Sequence, residues 1–213
     1  ASDDIDLDDI IQEEDMAVTM THLGYVKRIA ADSYKAQNRG GMGITAHKPK
    51  DEDYVEKMFI ACTHDDILLF TSLGKVYSIK GYHIPEAARA ARGRAIVNIV
   101  QLAAGEKIAA ILPVLANGTG YLVMATKRGL IKKTATSEFD HILRSGKIAI
   151  RIMEGDELIS VQFASGNDEI VVASRSGKCI RFAETDVRPM GRDTMGVRAI
   201  NLAPDDAVVD TGT

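Results

Sequence analysis

One short unit occurs four times along this 213-residue chain: an apolar run, Thr or Ser, two further residues, Gly, and a second apolar run that carries basic residues. The copies read A-V-T-M-T-H-L-G-Y-V-K-R ending at Arg28, I-L-L-F-T-S-L-G-K-V-Y-S, L-V-M-A-T-K-R-G-L-I-K-K and I-V-V-A-S-R-S-G-K-C-I-R. Their glycines, Gly24, Gly74, Gly129 and Gly177, recur about every 50 residues, and a fixed period of that size marks a repeat architecture. Each copy has the pattern of a β-hairpin whose polar turn opens at Thr21, Thr71, Thr126 or Ser174, with the glycine supplying a left-handed position. A second glycine follows 17 to 19 residues later: Gly41 or Gly43 before Ile44, Gly93 before Ala95 and Ile96, Gly146 before Ile148 and Ile150, Gly196 before Ala199 and Ile200. An acidic or glycine turn and a further apolar run close each unit, as in E-G-D-E-L-I-S-V-Q-F from Glu154 to Phe163. About four strands per repeat, in series, predict an all-β, propeller-like chain.

Helix is nearly absent from this pattern. Only E-A-A-R-A-A-R, Glu86 to Arg92, has helical composition, and its place ahead of Gly93 makes it a connector with a single turn at most. The division that follows is an acidic leader or linker over 1–15 and a repeat domain over 16–213, with repeats at 16–59, 60–115, 116–165 and 166–210.

The formal net charge of −4 is unevenly spread. Residues 1–15 hold eight acids and no base, so residues 16–213 carry 22 acids against 26 bases and are mildly basic. The leader reads either as a solvated tail or as a polyanion that competes for the basic surface of the body. Cys62 and Cys179 lie inside apolar runs without C-x-x-C spacing, which predicts reduced, buried thiols and no disulfide. No stretch approaches the roughly 20 apolar residues of a membrane helix, and the N-terminus is acidic where a signal peptide is basic. The expectation is a cytoplasmic protein with no membrane partner.

Enzyme signals are poor. His22, His47, His64, His83 and His141 stand alone, without an H-E-x-x-H pair or a paired cysteine. No G-x-x-x-x-G-K-[ST] loop and no G-x-S-x-G elbow occurs. Asp65-Asp66 and Asp205-Asp206 fall at turns, where Asp serves local hydrogen bonds. The sequence predicts no catalytic residue, no metal site and no cofactor in this domain.

Basic residues, by contrast, recur in register. Lys27 and Arg28, Lys75, Lys132 and Lys133, and Lys178 and Arg181 follow the turn glycines. Arg39, Arg92 and Arg94, Arg144 and Lys147, and Arg192 and Arg198 surround the second glycines. One such charge is ordinary on an exposed strand, but equivalent charges on successive blades form a band suited to a phosphate backbone. In the first repeat the second-glycine segment is Q-N-R-G-G-M-G, Gln37 to Gly43. Its glycines permit φ > 0 and close approach, and Arg39 offers a rigid fork of donors.

That stretch, with the T-x-x-G-x-V-K-R unit before it, resembles the gyrase A box. Residues 16–210 resemble the C-terminal DNA-wrapping domain of the A subunit of DNA gyrase, a bacterial type IIA topoisomerase. The resemblance implies a β-pinwheel in which a strand or hairpin is exchanged between neighbouring blades, with about four blades of four strands seen here out of a six-bladed disc. It implies sequence-nonspecific wrapping of double-stranded DNA, which directs ATP-dependent negative supercoiling by an A2B2 holoenzyme. The gyrase A N-terminal domain and the gyrase B subunit would be the protein partners, ATP and Mg would belong to the holoenzyme alone, and the setting would be the nucleoid in the bacterial cytoplasm. Arg39 would contact phosphate, Gly40, Gly41 and Gly43 would shape the loop, and Gln37 would bond the loop or a phosphate. Lys27, Arg28, Arg92, Arg94, Lys132, Lys133, Arg144, Lys147 and Arg181 would extend the DNA-binding surface. The usual box carries basic residues where Asn38 and Met42 stand, and losing two phosphate partners would lower the salt slope by up to about two units. Two alternatives stay open: the corresponding domain of topoisomerase IV, and a propeller that binds proteins.

Overall fold

The structure is a computed structural model and describes residues 7–31, 53–114 and 119–213. Among these, α1 (Leu7–Ile10) is one helical turn; the remainder is strand, 3-10 turn and loop. Glu86–Arg92 forms no helix, only a turn closed by the Ala91 N–H on the Ala88 carbonyl.

Four hairpins follow the four sequence copies: β1 (Asp15–Thr21) with β2 (Tyr25–Ala30), β4 (Asp66–Thr71) with β5 (Lys75–Lys80), β8 (Tyr121–Thr126) with β9 (Leu130–Ala135), and β12 (Glu169–Ser174) with β13 (Cys179–Ala183). Their turns share one set of hydrogen bonds. The N–H groups of Gly24, Gly74, Gly129 and Gly177 donate to the carbonyls of Thr21, Thr71, Thr126 and Ser174. The hydroxyls of those four residues accept from the N–H groups of Tyr25, Lys75, Leu130 and Lys178 at 3.1–3.3 Å. The four glycines have φ of 84, 80, 92 and 87°, a region that side chains oppose.

The acidic turn that closes each repeat reaches back to the same hairpin. His22, Ser72, Lys127 and Arg175 donate their N–H groups to the carbonyls of Tyr54, Lys107, Glu157 and Ala207. Asp53, Asp156 and Asp206 accept the N–H groups of Leu23, Arg128 and Ser176, and Glu106 accepts the Thr71 hydroxyl at 2.6 Å. From these turns β3 (Val55–Cys62), β7 (Ile108–Pro113), β11 (Leu158–Ala164) and β15 (Val208–Gly212) run beside the first strand of each hairpin.

The remaining strands are two residues long: β6 (Arg94–Ala95), β10 (Lys147–Ile148) and β14 (Val197–Arg198). Each pairs with the hairpin of the preceding repeat: Arg94 with Val26, Lys147 with Val76, Val197 with Ile131. The sheets are therefore β3-β1-β2-β6, β10-β5-β4-β7, β11-β8-β9-β14 and β13-β12-β15. Each four-stranded sheet thus takes one strand from the following repeat, the exchange between neighbours that a β-pinwheel requires, and the one change is the fourth sheet, which has three strands among the described residues.

The chain divides into two compact units, residues 1–67 with 79–102 and residues 68–78 with 103–213. In the first, Met16, Val18, Val26, Ile84 and Ile96 are buried. In the second, one apolar cluster includes Phe70, Val76, Met124, Phe139 and Leu158, and another Val123, Ile131, Ile170, Val172 and Ile200. Phe70 and Phe139 meet edge to face with centroids 5.6 Å apart.

The described part of the leader is held against the first unit. The Glu14 N–H donates to Thr63 Oγ1, which itself donates to the Gln12 carbonyl, and His64 Nε2 lies 2.7 Å from the Ile11 carbonyl. Both cysteines are free, but neither is buried: Cys62 is half-buried and Cys179 is exposed on β13, a strand that shows solvent alternate side chains where the run of apolar letters suggests a core.

Candidate nucleic-acid interface

The segments around the second glycines hold a recurring set of exposed cations, and Lys75, Lys107, Arg128, Arg151, Arg175, Lys178 and Arg181 are exposed elsewhere. The segments lie where they do because glycine lets them approach the preceding hairpin. A Cβ on Gly93 would stand 2.5 Å from the Val26 carbonyl oxygen, one on Gly146 2.6 Å from the Tyr77 ring, and one on Gly196 2.5 Å from the Ile131 carbonyl oxygen. In these three repeats the glycine serves contact within the protein.

The first unit brings Arg89, Arg92 and Arg94 to its surface. The Arg92 guanidinium stacks 3.8 Å from the centre of the Tyr25 ring and lies 4.0 Å from Asp53. Asp53 titrates below the usual carboxylate range: burial works against this, and the Leu23 N–H, the Thr21 hydroxyl and Arg92 outweigh it. In the second unit Arg144, Arg188 and Arg198 are exposed, and Lys147 and Arg192 are half-buried. Arg192 Nη1 donates to the Ile148 carbonyl at 3.3 Å, and its Nε is 3.8 Å from Glu138. Arg181 is exposed and paired with Glu169 at 3.1 Å. Arg89 and Arg188 are members of these loops that the sequence reading passed over; their place just ahead of the second glycine was the available signal.

Three of the expected DNA ligands lie inside instead. Lys27 is 9%, Lys132 0% and Lys133 4% exposed. Lys27 Nζ donates to the carbonyls of Ala88, Arg89 and Ala91 at 3.2, 2.6 and 2.8 Å. Lys132 Nζ donates to those of Ala149 at 2.7 Å, Thr194 at 3.3 Å, and Arg192. Burial pushes the Lys132 pKa down to about 8, with Asp193 and Glu138 pulling upward and Arg192 adding to the fall. Lys133 donates to the Glu184 carbonyl, sits 3.3 Å from the fully buried Glu184 carboxylate and lies over the Tyr121 ring. Arg28 is half-buried: its Nε donates to the Ile84 carbonyl and its guanidinium faces Glu14 and Glu86. Gln37, Arg39, Gly40, Gly41 and Gly43 lie outside the described residues. Among the described residues no three His, Cys, Asp or Glu side chains gather as metal ligands.

A family model described as "DNA gyrase C-terminal domain, beta-propeller" matches the chain in four segments, 15–62, 65–115, 120–165 and 168–212. The chain belongs to this DNA gyrase C-terminal domain family. Its all-β, four-blade propeller arrangement is the fold that the family description names. The chain is 49% identical over 199 residues to the DNA gyrase A subunit of Clostridium acetobutylicum, a match spanning 93% of this chain and 24% of that relative. It thus spans about a quarter of the curated relatives it matches. Among solved structures, the C-terminal domain of DNA topoisomerase IV aligns with a TM-score of 0.77 at 28% identity, over 94% of this chain and 61% of that one. The DNA gyrase A C-terminal domain aligns with a TM-score of 0.67 at 25% identity, over 93% and 64%. The gyrase-family repeats place cationic loops at one recurring position.

Proposed function

We propose that this gyrase C-terminal domain binds double-stranded DNA through its phosphates and wraps it, and in that way directs negative supercoiling by the ATP-dependent holoenzyme while taking no part in the cleavage chemistry. The observation that carries this reading is the loop at the second glycine. In three successive repeats it reaches the preceding hairpin at the same register and bears exposed arginine, as Arg94, Arg144 and Arg198. Those three side chains and Arg188 make no hydrogen bond or ion pair among the described residues. Arginine forks suit phosphate oxygens, and phosphate contacts carry no base code, so binding is sequence-nonspecific. In the sequence of the first repeat the second-glycine segment is Gln37–Gly43, with Arg39 as its cation. In this reading ATP and Mg belong to the holoenzyme, an A2B2 assembly of gyrase A with gyrase B at the bacterial nucleoid.

The test is the salt dependence of duplex binding. Replacing Arg94, Arg144, Arg188 and Arg198 by Gln should reduce the log–log salt slope by about 0.9 for each phosphate no longer neutralised, equally on two unrelated DNA sequences. An unchanged slope contradicts the assignment. The TM-score of 0.77 to the topoisomerase IV domain supports a second reading, membership of a topoisomerase IV rather than a gyrase. Alanine replacement of Gln37–Gly43 separates the two: loss of wrapping supports gyrase, and wrapping that does not need the box supports topoisomerase IV.

A further inference from the structure

Lys27 and Lys132 occupy one repeat position, the third residue after the turn glycine, which Tyr77 and Ile180 fill in the other two repeats. Each reaches the loop of the following repeat and spends its ammonium on main-chain carbonyls: Ala88, Arg89 and Ala91 for Lys27, Arg192 and Thr194 with Ala149 for Lys132. An ammonium has three hydrogens to donate, and three carbonyls satisfy it. Burying a charge is costly, and an apolar side chain of the same length would fill the space as well. The loops themselves lack the continuous ladder of a sheet, since their strands β6 and β14 are two residues long. They are also the loops richest in arginine, with Arg89, Arg92 and Arg94 in one unit and Arg188, Arg192 and Arg198 in the other. The third-repeat loop, with Arg144 and Lys147, is held differently, by Gly146 against the Tyr77 ring.

We propose that Lys27 and Lys132 are positioning residues for DNA: each fastens the carbonyls of an arginine-bearing loop to the preceding hairpin, so that the arginines meet phosphates as a fixed set. The inference rests on the DNA-binding reading. It assigns the repeat's lysine a task that its apparent place on a cationic surface conceals, because the lysine touches the loop and the loop touches the DNA.

The test uses the full chain. Lys132→Met keeps the length of the side chain and removes the donors. The amides of Met190 and Ala199, which bond to the Lys133 and Gly129 carbonyls, should exchange with deuterium ~10-fold faster or more, as a local opening. The salt slope for duplex binding should fall to that of the triple variant Arg188→Gln, Arg192→Gln, Arg198→Gln. Adding Lys132→Met to the triple variant should lower it no further. A folded Lys132→Met protein with the wild-type slope, or a slope reduction that adds to that of the triple variant, overturns the proposal. If Lys132→Met does not fold, the residue is structural and the proposal falls for it, and Lys27→Met, set against Arg89→Gln, Arg92→Gln and Arg94→Gln, decides the other case by the same readings. A wild-type protein without salt-dependent DNA affinity would sink the DNA reading itself, while faster exchange in Lys132→Met would still report the fastening of the loop.

Discussion

Asp206 accepts the hydroxyl and N–H of Ser176 and the N–H of Ala207. The Ser176 hydroxyl first, and Ser174 and the two N–H groups after it, hold its carboxyl far below the usual carboxylate range against the opposing effect of desolvation. A carboxyl that is depressed in the folded state adds stability above its unfolded pKa of about 3.9, and that stability is lost as pH falls further. Asp206→Asn should therefore melt below the wild type at pH 7, with the gap closing under about pH 3; a gap independent of pH contradicts this. Lys132 runs the other way. Its folded pKa of about 8 lies under the ordinary 10.5, so the unfolded chain holds the proton more tightly across that window and stability rises with pH from 8 to 10.5. Unfolding by denaturant should show wild type gaining on Lys132→Met over that range, and parallel curves would count against it. Neither shift is readable from the sequence. Lys132 and Lys133 follow Ile131 as charged letters on a strand and suggest an exposed edge, but β9 is buried on both faces because the next repeat lies over it.

Among elements, the hairpins were readable because their cause is local: a hydroxyl residue and a glycine three places on fix the turn whatever the rest of the chain does. The acidic turns were readable as turns, though the return of Asp53, Asp156 and Asp206 to hairpin turns 28 to 30 residues away was not. The short strands β6, β10 and β14 are marked in the sequence by the second glycine ahead of them and not by periodicity, since two residues contain no period, and their pairing with another repeat is implied by the resemblance alone. Gly93 and Gly196 make that exchange possible. Gly93→Ala and Gly196→Ala should each cost about 1–3 kcal/mol, because a methyl group there runs into backbone. Gly191→Ala is the control, since nothing lies within 4 Å of its added Cβ. Thermal unfolding checks all three, and equal midpoints would contradict the packing described.

On the scale of the whole molecule, a chain with net charge −4 binds DNA in this account because its acids and bases are segregated. Eight acids gather in residues 1–15, and some of the leader's charge is already matched, Glu14 with Arg28 and Asp8 with Lys80. Much carboxylate in the body serves turns, and several lysines serve loops, so the cations left for a partner include the arginines around the second glycines, Arg94, Arg144, Arg188 and Arg198, beside Lys75, Lys107, Arg128 and Arg175 at the turns. Family and fold were readable from the repeat and from Gln37–Gly43; the division of the basic residues into buried fasteners and exposed cations needed the structure. The measurement that tests the central claim most directly is the linking number of nicked plasmid ligated in the presence of this polypeptide. The account predicts a shift that grows with protein concentration and disappears when Gln37 to Gly43 are replaced by alanine. Unshifted topoisomers at concentrations where the folded protein coats the plasmid would contradict it.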